Sequence, residues 1–295
     1  MQLKNWNDLR YLLAVKRGRS LAAAARQIGV DDTTVSRRLA ALQSSVGAQL
    51  YRRLPDGSLQ LTSQGEAVAC RVEYMDHQID LIAEICGSSP DQCVGSVRLT
   101  SVPIIINRLL TPQIGQLLTA HAKLDVELVP DSRDLSLTRR EADISIRLAR
   151  PTTGGSNVKA WRIGDLNYAV YTSRDYSAKK AAGLPWITYD ETMARLPQAQ
   201  WIARVTKGQT SQLSGLRVHD AETAFEAAIA GIGRALLPSV IANRDDRLMR
   251  FNIKGGIPLP SREIWLLAHA DQLELRRIRA VISWIEKLFN FTGRE

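Results

Sequence analysis

The chain has 295 residues, the length of about two typical domains, and its 45% hydrophobic and 23% charged residues exclude a wholly disordered protein. Three cysteines are too few, and odd in number, for a disulfide framework. The first eight residues lack the apolar core of a secretory signal, and no stretch approaches the roughly 20 apolar residues that cross a bilayer. We therefore expect a soluble, reduced, cytoplasmic protein.

The positive charge is concentrated at the N-terminal end. Residues 1–60 hold ten Lys/Arg and four Asp/Glu, a net charge of +6, whereas the other 235 residues contribute only +3. A compact basic segment joined to a near-neutral body is typical of a polyanion-binding head. The charge alone leaves a second interpretation open, a solvated surface that happens to be basic.

The hydrophobic spacing of the first fifty residues predicts three short helices. Ser20 stands where the second helix should be capped, Gly29 where it should end, and Asp31 or Asp32 where the third should begin. The expected inward-facing residues are Leu9, Leu12 and Leu13, then Leu21, Ala24, Ala25 and Ile28, then Val35, Leu39, Leu42 and Val46.

The outward face of the third helix carries hydroxyl and basic residues, Thr33, Thr34, Arg37 and Arg38, as does the second helix of a helix-turn-helix. Downstream, the turn residues Pro55-Asp56-Gly57 separate two alternating segments and predict a β-hairpin. A hairpin beside a recognition helix is a wing, so Arg52 and Arg53 are expected against phosphates or in the minor groove.

These residues resemble the N-terminal domain of LysR-type transcriptional regulators. The resemblance covers about 65 residues and rests on Ala23–Val30, Thr34–Leu42, Gly47, Leu50–Arg53, Leu61-Thr62 and Gly65-Glu66. It implies a regulator that binds double-stranded DNA, with Thr33, Thr34, Ser36 and Arg37 facing bases or nearby phosphates, and Arg38, Arg52 and Arg53 facing phosphates.

One position departs from the family. Asp31-Asp32 stands where the family often has Ser-Gln. Asp31 can still cap the helix, whereas Asp32 either accepts a hydrogen bond from a base such as cytosine or only strengthens the cap.

The next segment predicts a long helix opened by a Ser63–Glu66 capping box. Its apolar residues follow a heptad seam: Val68, Val72, Met75, Ile79, Ile82 and Cys86. The seam fits either a helix pair or a helix packed against its own domain. The resemblance favours pairing, because family members dimerise through this linker helix. Cys86 and Cys93 admit a redox switch, but no activating His or Lys is adjacent in sequence, and Cys is a common small buried apolar residue, which favours a structural role.

From Val94 onward, short apolar runs alternate with helical patterns, which predicts a mostly parallel α/β sheet with ligands at the carboxyl ends of its strands. Strands are expected at 97–100, 124–129, 143–148, 168–171, 186–189, 216–218, 234–237 and 264–268, and helices at 105–118, 135–141, 221–230 and 273–289.

The resemblance continues through Gly95–Thr100, Glu141–Arg147 and Ala230–Pro238. It implies a winged helix-turn-helix over 1–62, a linker helix and hinge over 63–90, and an effector-binding domain over 91–295. In the family that domain has two α/β subdomains, like periplasmic solute-binding proteins, here about 91–165 plus 264–295 and about 166–263. The expected assembly is a homodimer, and by resemblance a homotetramer, on an interrupted palindrome.

Four residues are candidates for the effector cleft by position alone: Ser101, Asp131, Arg147 and His219. Each also has a purely structural interpretation, as a turn cap, a surface loop, an ion pair between subdomains and a helix start, respectively. Arg147 would favour an anionic, small-molecule effector, because a guanidinium binds a carboxylate at two points.

The competing classes are a small-molecule enzyme and a solute-binding protein with a basic appendage. Gly231-Ile232-Gly233 lacks the third glycine of a nucleotide loop, the four histidines are widely separated, and no cysteine pair has zinc-ligand spacing. The sequence therefore predicts no catalytic residue, cofactor or metal.

Overall fold

The structure is a computed structural model that describes residues 5–86, 93–131, 142–151, 157–252 and 257–292. The chain divides into two compact units, Met1–Ser88 and Ser89–Glu295.

The first unit is a three-helix head followed by a hairpin and a long helix. Its elements are α1 (Asp8–Gly18), α2 (Leu21–Ile28), α3 (Asp32–Val46), β1 (Tyr51–Arg53), β2 (Leu59–Leu61) and α4 (Ser63–Cys86). β1 and β2 are antiparallel, with Arg52 opposite Gln60. The predicted helix-turn-helix and hairpin are confirmed.

Side-chain caps set the helix ends of the head. The Ser20 hydroxyl accepts a hydrogen bond from the Ala23 N–H, the Asp31 carboxylate accepts one from the Thr34 N–H, and Gly29 ends α2 in the left-handed conformation. The predicted cap of α4 is wrong by one residue, because the hydroxyl of Thr62, not Ser63, accepts from the Gly65 N–H at 3.0 Å.

One apolar core holds the head together. Leu12, Val35, Leu39 and Leu42 are fully buried, and Leu50 joins them from the segment before β1. These are the inward-facing positions expected from helical spacing, so α3 turns its other face away from the core.

The first half of the α4 seam packs against the core of the head. Val72 is buried, and Val68 and Met75 pack against the core of the head. Ile79 and Ile82, further along the same seam, are each 59% exposed in this chain. The side chain of Cys86 lies outside the described residues.

The second unit is built on a seven-stranded sheet and a separate two-stranded one. The strands are β3 (Val94–Ser101), β4 (Lys123–Pro130), β5 (Ile144–Arg147), β6 (Val158–Ser173), β7 (Trp186–Tyr189), β8 (Leu213–Val218), β9 (Ala235–Pro238), β10 (Leu248–Phe251) and β11 (Ser261–His269). The large sheet has the order β10-β6-β11-β5-β3-β4, with β9 also paired to β6, and β7 pairs with β8.

The prediction of a mostly parallel sheet is wrong. β3 is parallel to β4 and β5, and β7 is parallel to β8. β6 and β11, in contrast, run antiparallel to every strand that they pair with. Apolar runs do not encode strand direction, which depends on how distant segments pair.

Most predicted helices are present, with changed limits. The helices of the second unit are α5 (Pro103–Ile105), α6 (Ile114–Ala120), α7 (Ala178–Ala182), α8 (Pro197–Val205), α9 (Ala221–Ile229), α10 (Ser239–Ala242) and α11 (Arg276–Thr292). The single helix expected at 105–118 is interrupted by a π-helical turn, Ile106–Leu110, and a 3-10 turn, Thr111–Gln113. No sequence pattern predicted α7, α8, α10 or β10, and the helix expected at 135–141 lies outside the described residues.

One long strand, β6, joins the two halves of the second unit. Residues 158–167 of β6 pair with β11, and the rest of β6 pairs with β9 and β10. We call the part built on β3–β5, α5, α6 and α11 the first lobe, and the part built on β7–β10, α8 and α9 the second lobe. None of the described helices is both long and apolar enough to pass through a membrane.

Candidate nucleic-acid interface and ligand cleft

The exposed face of α3 presents the predicted contact residues to the surface of the head. Thr33 and Arg37 are exposed, and Thr34, Ser36 and Arg38 are partly covered. This follows from the helical period, since Val35, Leu39 and Leu42 occupy the buried face.

Asp31 organises the start of this face. Its carboxylate accepts hydrogen bonds from the Thr33 hydroxyl, from the Thr34 N–H at 2.7 Å and from the Thr34 hydroxyl at 2.9 Å. These bonds hold the pKa of Asp31 well below its usual range, and the bond from the Thr33 hydroxyl has the largest effect. Because each hydroxyl hydrogen is used on Asp31, Thr33 and Thr34 offer a partner acceptor oxygens and methyl groups.

The predicted arginines differ in how they are held. Arg38 Nη1 lies 3.4 Å from Asp8 Oδ1, so Arg38 ties α3 to α1. Arg52 donates from Nε and Nη2 to Gln60 Oε1, at 2.9 and 2.6 Å, which holds its guanidinium flat along the hairpin. Arg37 on α3 and Arg53 on β1 are exposed.

Two ion pairs that were not predicted from the sequence join α1 to α4. Lys16 Nζ lies 3.0 Å from Glu73 Oε1, and Arg17 Nη2 lies 3.3 Å from Asp76 Oδ2. The side chain of Glu73 is 3% exposed and that of Asp76 is 40% exposed. The partners are 57 and 59 residues apart, so no local pattern indicates these pairs.

Three predicted cleft residues meet at the carboxyl ends of β3, β4 and β5. The Asp131 N–H donates to the Ser101 carbonyl at 2.9 Å. Burial lowers the pKa of Arg147, and the Asp131 carboxylate opposes that effect, which places the two side chains in one electrostatic environment. Ser101 is buried and its hydroxyl donates to the Ile146 carbonyl at 3.0 Å, so its hydrogen is used within the sheet.

His219 belongs to a separate cluster in the second lobe, after β8. Its Nδ1 lies 2.8 Å from Asp190 Oδ2. Hydrogen bonds from Thr192 and then from His219 lower the pKa of Asp190 to about 2. His219 is therefore a partner of Asp190 and an exposed side chain beside the start of α9.

A cavity of about 430 Å³ opens between the lobes, and its lining contains none of the four predicted residues. It is lined by residues after β5, after β7 and at the start of β11, and three of them are arginines: Arg150, Arg195 and Arg262. Arg262 Nε donates to the Leu148 carbonyl at 2.9 Å, and the Arg150 guanidinium lies 5.6 Å from the centre of the Trp265 ring. None of the three was predicted from the sequence, although Arg150 follows Arg147 by only three positions.

The described part of the chain contains neither a disulfide nor a group of side chains that could bind a metal ion. Cys70 is exposed and Cys93 is buried, and neither forms a disulfide. Over the described ranges, no three His, Cys, Asp or Glu side chains are grouped so that they could hold a metal ion.

Comparison with known proteins agrees along the whole chain. Residues 6–66 match the bacterial regulatory helix-turn-helix protein, lysR family, and residues 91–290 match the LysR substrate binding domain. The Mau operon transcriptional activator of Paracoccus denitrificans is 27% identical over 286 residues, which cover 97% of this chain and 96% of the relative.

Solved structures share the fold. A full-length OxyR variant from Pseudomonas aeruginosa superposes with a TM-score of 0.68 at 17% identity, covering 98% of this chain and 97% of that one. Full-length LysG from Corynebacterium glutamicum with bound effector Arg superposes with a TM-score of 0.62 at 15% identity, covering 97% and 98%. The family consists of transcriptional regulators and not of enzymes. With a helix-turn-helix head at one end and a substrate-binding domain over the rest, the chain belongs to the LysR family of DNA-binding transcriptional regulators.

Proposed function

We propose that this regulator reads its DNA site with α3 and the β1–β2 hairpin. The observation that carries the proposal is the exposed basic and hydroxyl face of α3 on a head with a net charge of +6 over residues 1–60. Arg37 is the base reader or its close neighbour, with Thr33, Thr34 and Ser36 beside it. Arg38, Arg52 and Arg53 face phosphates, and for Arg38 this contact competes with Asp8.

The assembly we propose is a homodimer paired through α4, and by family resemblance a tetramer. The exposed Ile79 and Ile82 support pairing, because they continue a seam whose first half is already used inside the chain. A two-fold pair presents two α3 helices to a dyad-symmetric site. A chain that regulates transcription in this way acts in the cytoplasm, where bacterial chromosomal DNA lies.

The ligand we propose is a small anion held between the lobes. Arg150, Arg195 and Arg262 line the cavity with one acid, Glu263, so the cavity carries excess positive charge. The cluster of Ser101, Asp131 and Arg147 at the strand ends would form a second part of the same cleft, and His219 its far wall. The LysG structure with bound effector Arg supports a ligand role for this domain.

The mechanism we propose is a population shift. An anion that binds one arrangement of the lobes better than another shifts the oligomer toward that arrangement and changes the spacing of its heads. Bending a duplex costs on the order of 1–6 kcal/mol, so a modest difference in ligand affinity is sufficient to change DNA binding.

The experiment is selection of bound fragments from a random or genomic duplex pool with the full chain, followed by affinity measurement on the selected site. We expect enrichment of an interrupted palindrome, weakened binding by Arg37→Ala and unchanged binding by Arg204→Ala, an exposed arginine on α8. Adding aromatic and aliphatic carboxylates should change the affinity of the parent and not of Arg195→Ala. Failure to enrich any sequence would contradict the DNA-binding proposal, and no response to any carboxylate would contradict the anionic ligand.

A further inference from the structure

One arginine of the first lobe binds two carboxylates of the second. Arg108 lies in the π-helical turn Ile106–Leu110, and α9 belongs to the other lobe. Arg108 Nε donates to Glu222 Oε1 at 2.9 Å, and Arg108 Nη2 donates to Glu226 Oε1. A single planar guanidinium therefore holds two positions of α9 at once.

The same guanidinium also stacks on α9. Its carbon lies 4.5 Å from the centre of the Phe225 ring, and Phe225 is 1% exposed. Glu222, Phe225 and Glu226 are spaced i, i+3 and i+4, so they form one face of the helix. Arg108 itself is only 24% exposed, which distinguishes this contact from a solvated surface pair.

The backbone on each side of the contact is anchored in its own lobe. Ile106, Leu109 and Leu110 around Arg108 are buried, so the π-helical turn is fixed to the first lobe and its arginine projects toward the second. α9 starts at an Asp220 cap that accepts from the Thr223 N–H at 2.7 Å. Both segments begin next to the strand ends that form the cleft.

When the lobes move apart, Glu222 and Glu226 lose the guanidinium that they share, and Glu226 keeps the more distant charge of Arg247 in its own lobe. Glu222 and Glu226 are like charges one helical turn apart, and they repel each other when Arg108 is withdrawn. Burial raises the pKa of Glu222, and Arg108 opposes this effect. Separation of the lobes thus returns three charged groups to water and uncovers the ring of Phe225.

We propose that Arg108, Glu222 and Glu226 form an inter-lobe clasp that holds the cleft in the arrangement seen here, and that Arg108 is the positioning residue through which lobe movement is coupled to DNA affinity. The coupling to DNA rests on the function proposed above. The clasp itself concerns only the distance between the lobes and is testable without DNA or ligand.

The test measures the distance between two spin labels by pulsed electron paramagnetic resonance. The labels are attached through non-natural amino acids at two exposed positions, Thr119 on α6 and Ala203 on α8. Labelled full chain is diluted with unlabelled chain, so that distances within one subunit dominate. We expect Arg108→Gln to lengthen and broaden the distance distribution. Arg98→Gln is the matched control, because Arg98 pairs with Glu127 inside the first lobe.

A charge exchange separates a specific clasp from a general structural role. Arg108→Glu alone should separate the lobes, and Arg108→Glu combined with Glu226→Arg should restore the parental distribution in part. An unchanged distribution in Arg108→Gln, or no restoration by the exchange, would overturn the proposal. If circular dichroism shows that Arg108→Gln has lost its fold, Glu226→Gln replaces it, since Glu226 is half exposed.

The second measurement is the affinity for the duplex selected by the parent chain. We expect Arg108→Gln to change it about fivefold or more, the lower limit of a typical allosteric coupling, and Arg98→Gln to leave it unchanged. A changed lobe distance with unchanged affinity would overturn the coupling. A parent that binds no duplex would instead overturn the proposed function, while the distance measurement would still decide on the clasp.

Discussion

Arg37 and Arg38 are adjacent in the chain but have different surroundings. Arg37 is exposed on the free face of α3, whereas Arg38 is partly covered and paired with Asp8. In the hairpin both arginines are exposed, and Gln60 holds the guanidinium of Arg52. At the scale of single residues, the fold thus holds Arg38 and Arg52 against neighbouring side chains, whereas Arg37 presents its guanidinium on the exposed face of α3.

Replacing Arg37 by Ala should weaken binding to the selected duplex by about 1–3 kcal/mol and relax the preference at one base position, as expected for a base reader. Replacing Arg53 by Ala should weaken binding to all sequences about equally. Competition binding against a panel of single-base variants of the site measures both effects. An Arg37→Ala variant with the parental affinity and base preference would show that α3 is not the recognition helix.

Gly65 is a position where any side chain would collide with backbone. A Cβ atom there would lie 1.8 Å from the Leu50 carbonyl oxygen, which already accepts from the Thr62 N–H. We expect Gly65→Ala to destabilise the head by at least about 1–3 kcal/mol through overpacking.

The matched control for Gly65→Ala is Gly115→Ala in α6, where a Cβ atom meets nothing within 4 Å. Alanine is the better helix former, so this variant should be stabilised by up to about 1 kcal/mol. Urea unfolding of both variants, followed by circular dichroism, checks the pair. Equal stabilities would mean that the segment before β1, which contains Leu50, does not pack on α4 as described.

At the scale of elements, α4 has two roles along its length. Its first half belongs to the head through Val72, Val68 and Met75, and its ion pairs with α1 fix its direction. Ile79 and Ile82 then leave the core and are available to a partner helix. The attachment of α4 to α1 therefore determines how a paired linker would orient the recognition helix.

The two ion pairs between α1 and α4 should differ in strength because they differ in burial. Glu73→Gln places a neutral amide against Lys16 in a covered site and should cost about 1–3 kcal/mol. Asp76→Asn removes an exposed partner of Arg17 and should cost about 0–1 kcal/mol. Hydrogen exchange of the α1 and α4 amides in the full chain measures the loss of stability in each variant. Equal losses of protection in Glu73→Gln and Asp76→Asn would contradict the expected difference.

At the scale of the whole molecule, the uneven charge predicts how DNA binding depends on salt. Neutralising phosphates releases counterions, so the logarithm of affinity should fall linearly with that of salt concentration, with a slope of about −0.9 per phosphate contact. Arg53→Ala should reduce that slope by about 1, and Arg204→Ala on the second unit should leave it unchanged. DNA-binding titrations at several salt concentrations measure these slopes. A slope for Arg53→Ala identical to that of the parent would show that Arg53 of the hairpin does not contact a phosphate.

Local patterns were sufficient to predict the head. Helical spacing, the caps at Ser20 and Asp31, and the Asp56-Gly57 turn act over a few residues, and each led to the observed element. The candidate cleft was predictable to a smaller extent, because the lining of the cavity contains none of the four residues expected there. Ser101, Asp131 and Arg147 were placed together because the ends of parallel strands meet at one edge, but the sequence did not show that the Ser101 hydroxyl is used on Ile146.

The sequence by itself determined the identity of the modules, because periodicity, capping and charge are short-range properties that the chain carries even before it folds. Only the tertiary structure decided the strand directions, the three arginines that line the cavity and the clasp between Arg108 and Glu222. Arg108 and Glu222 are separated by 114 positions. Contacts at that separation depend on how whole lobes pack, and no local pattern specifies them.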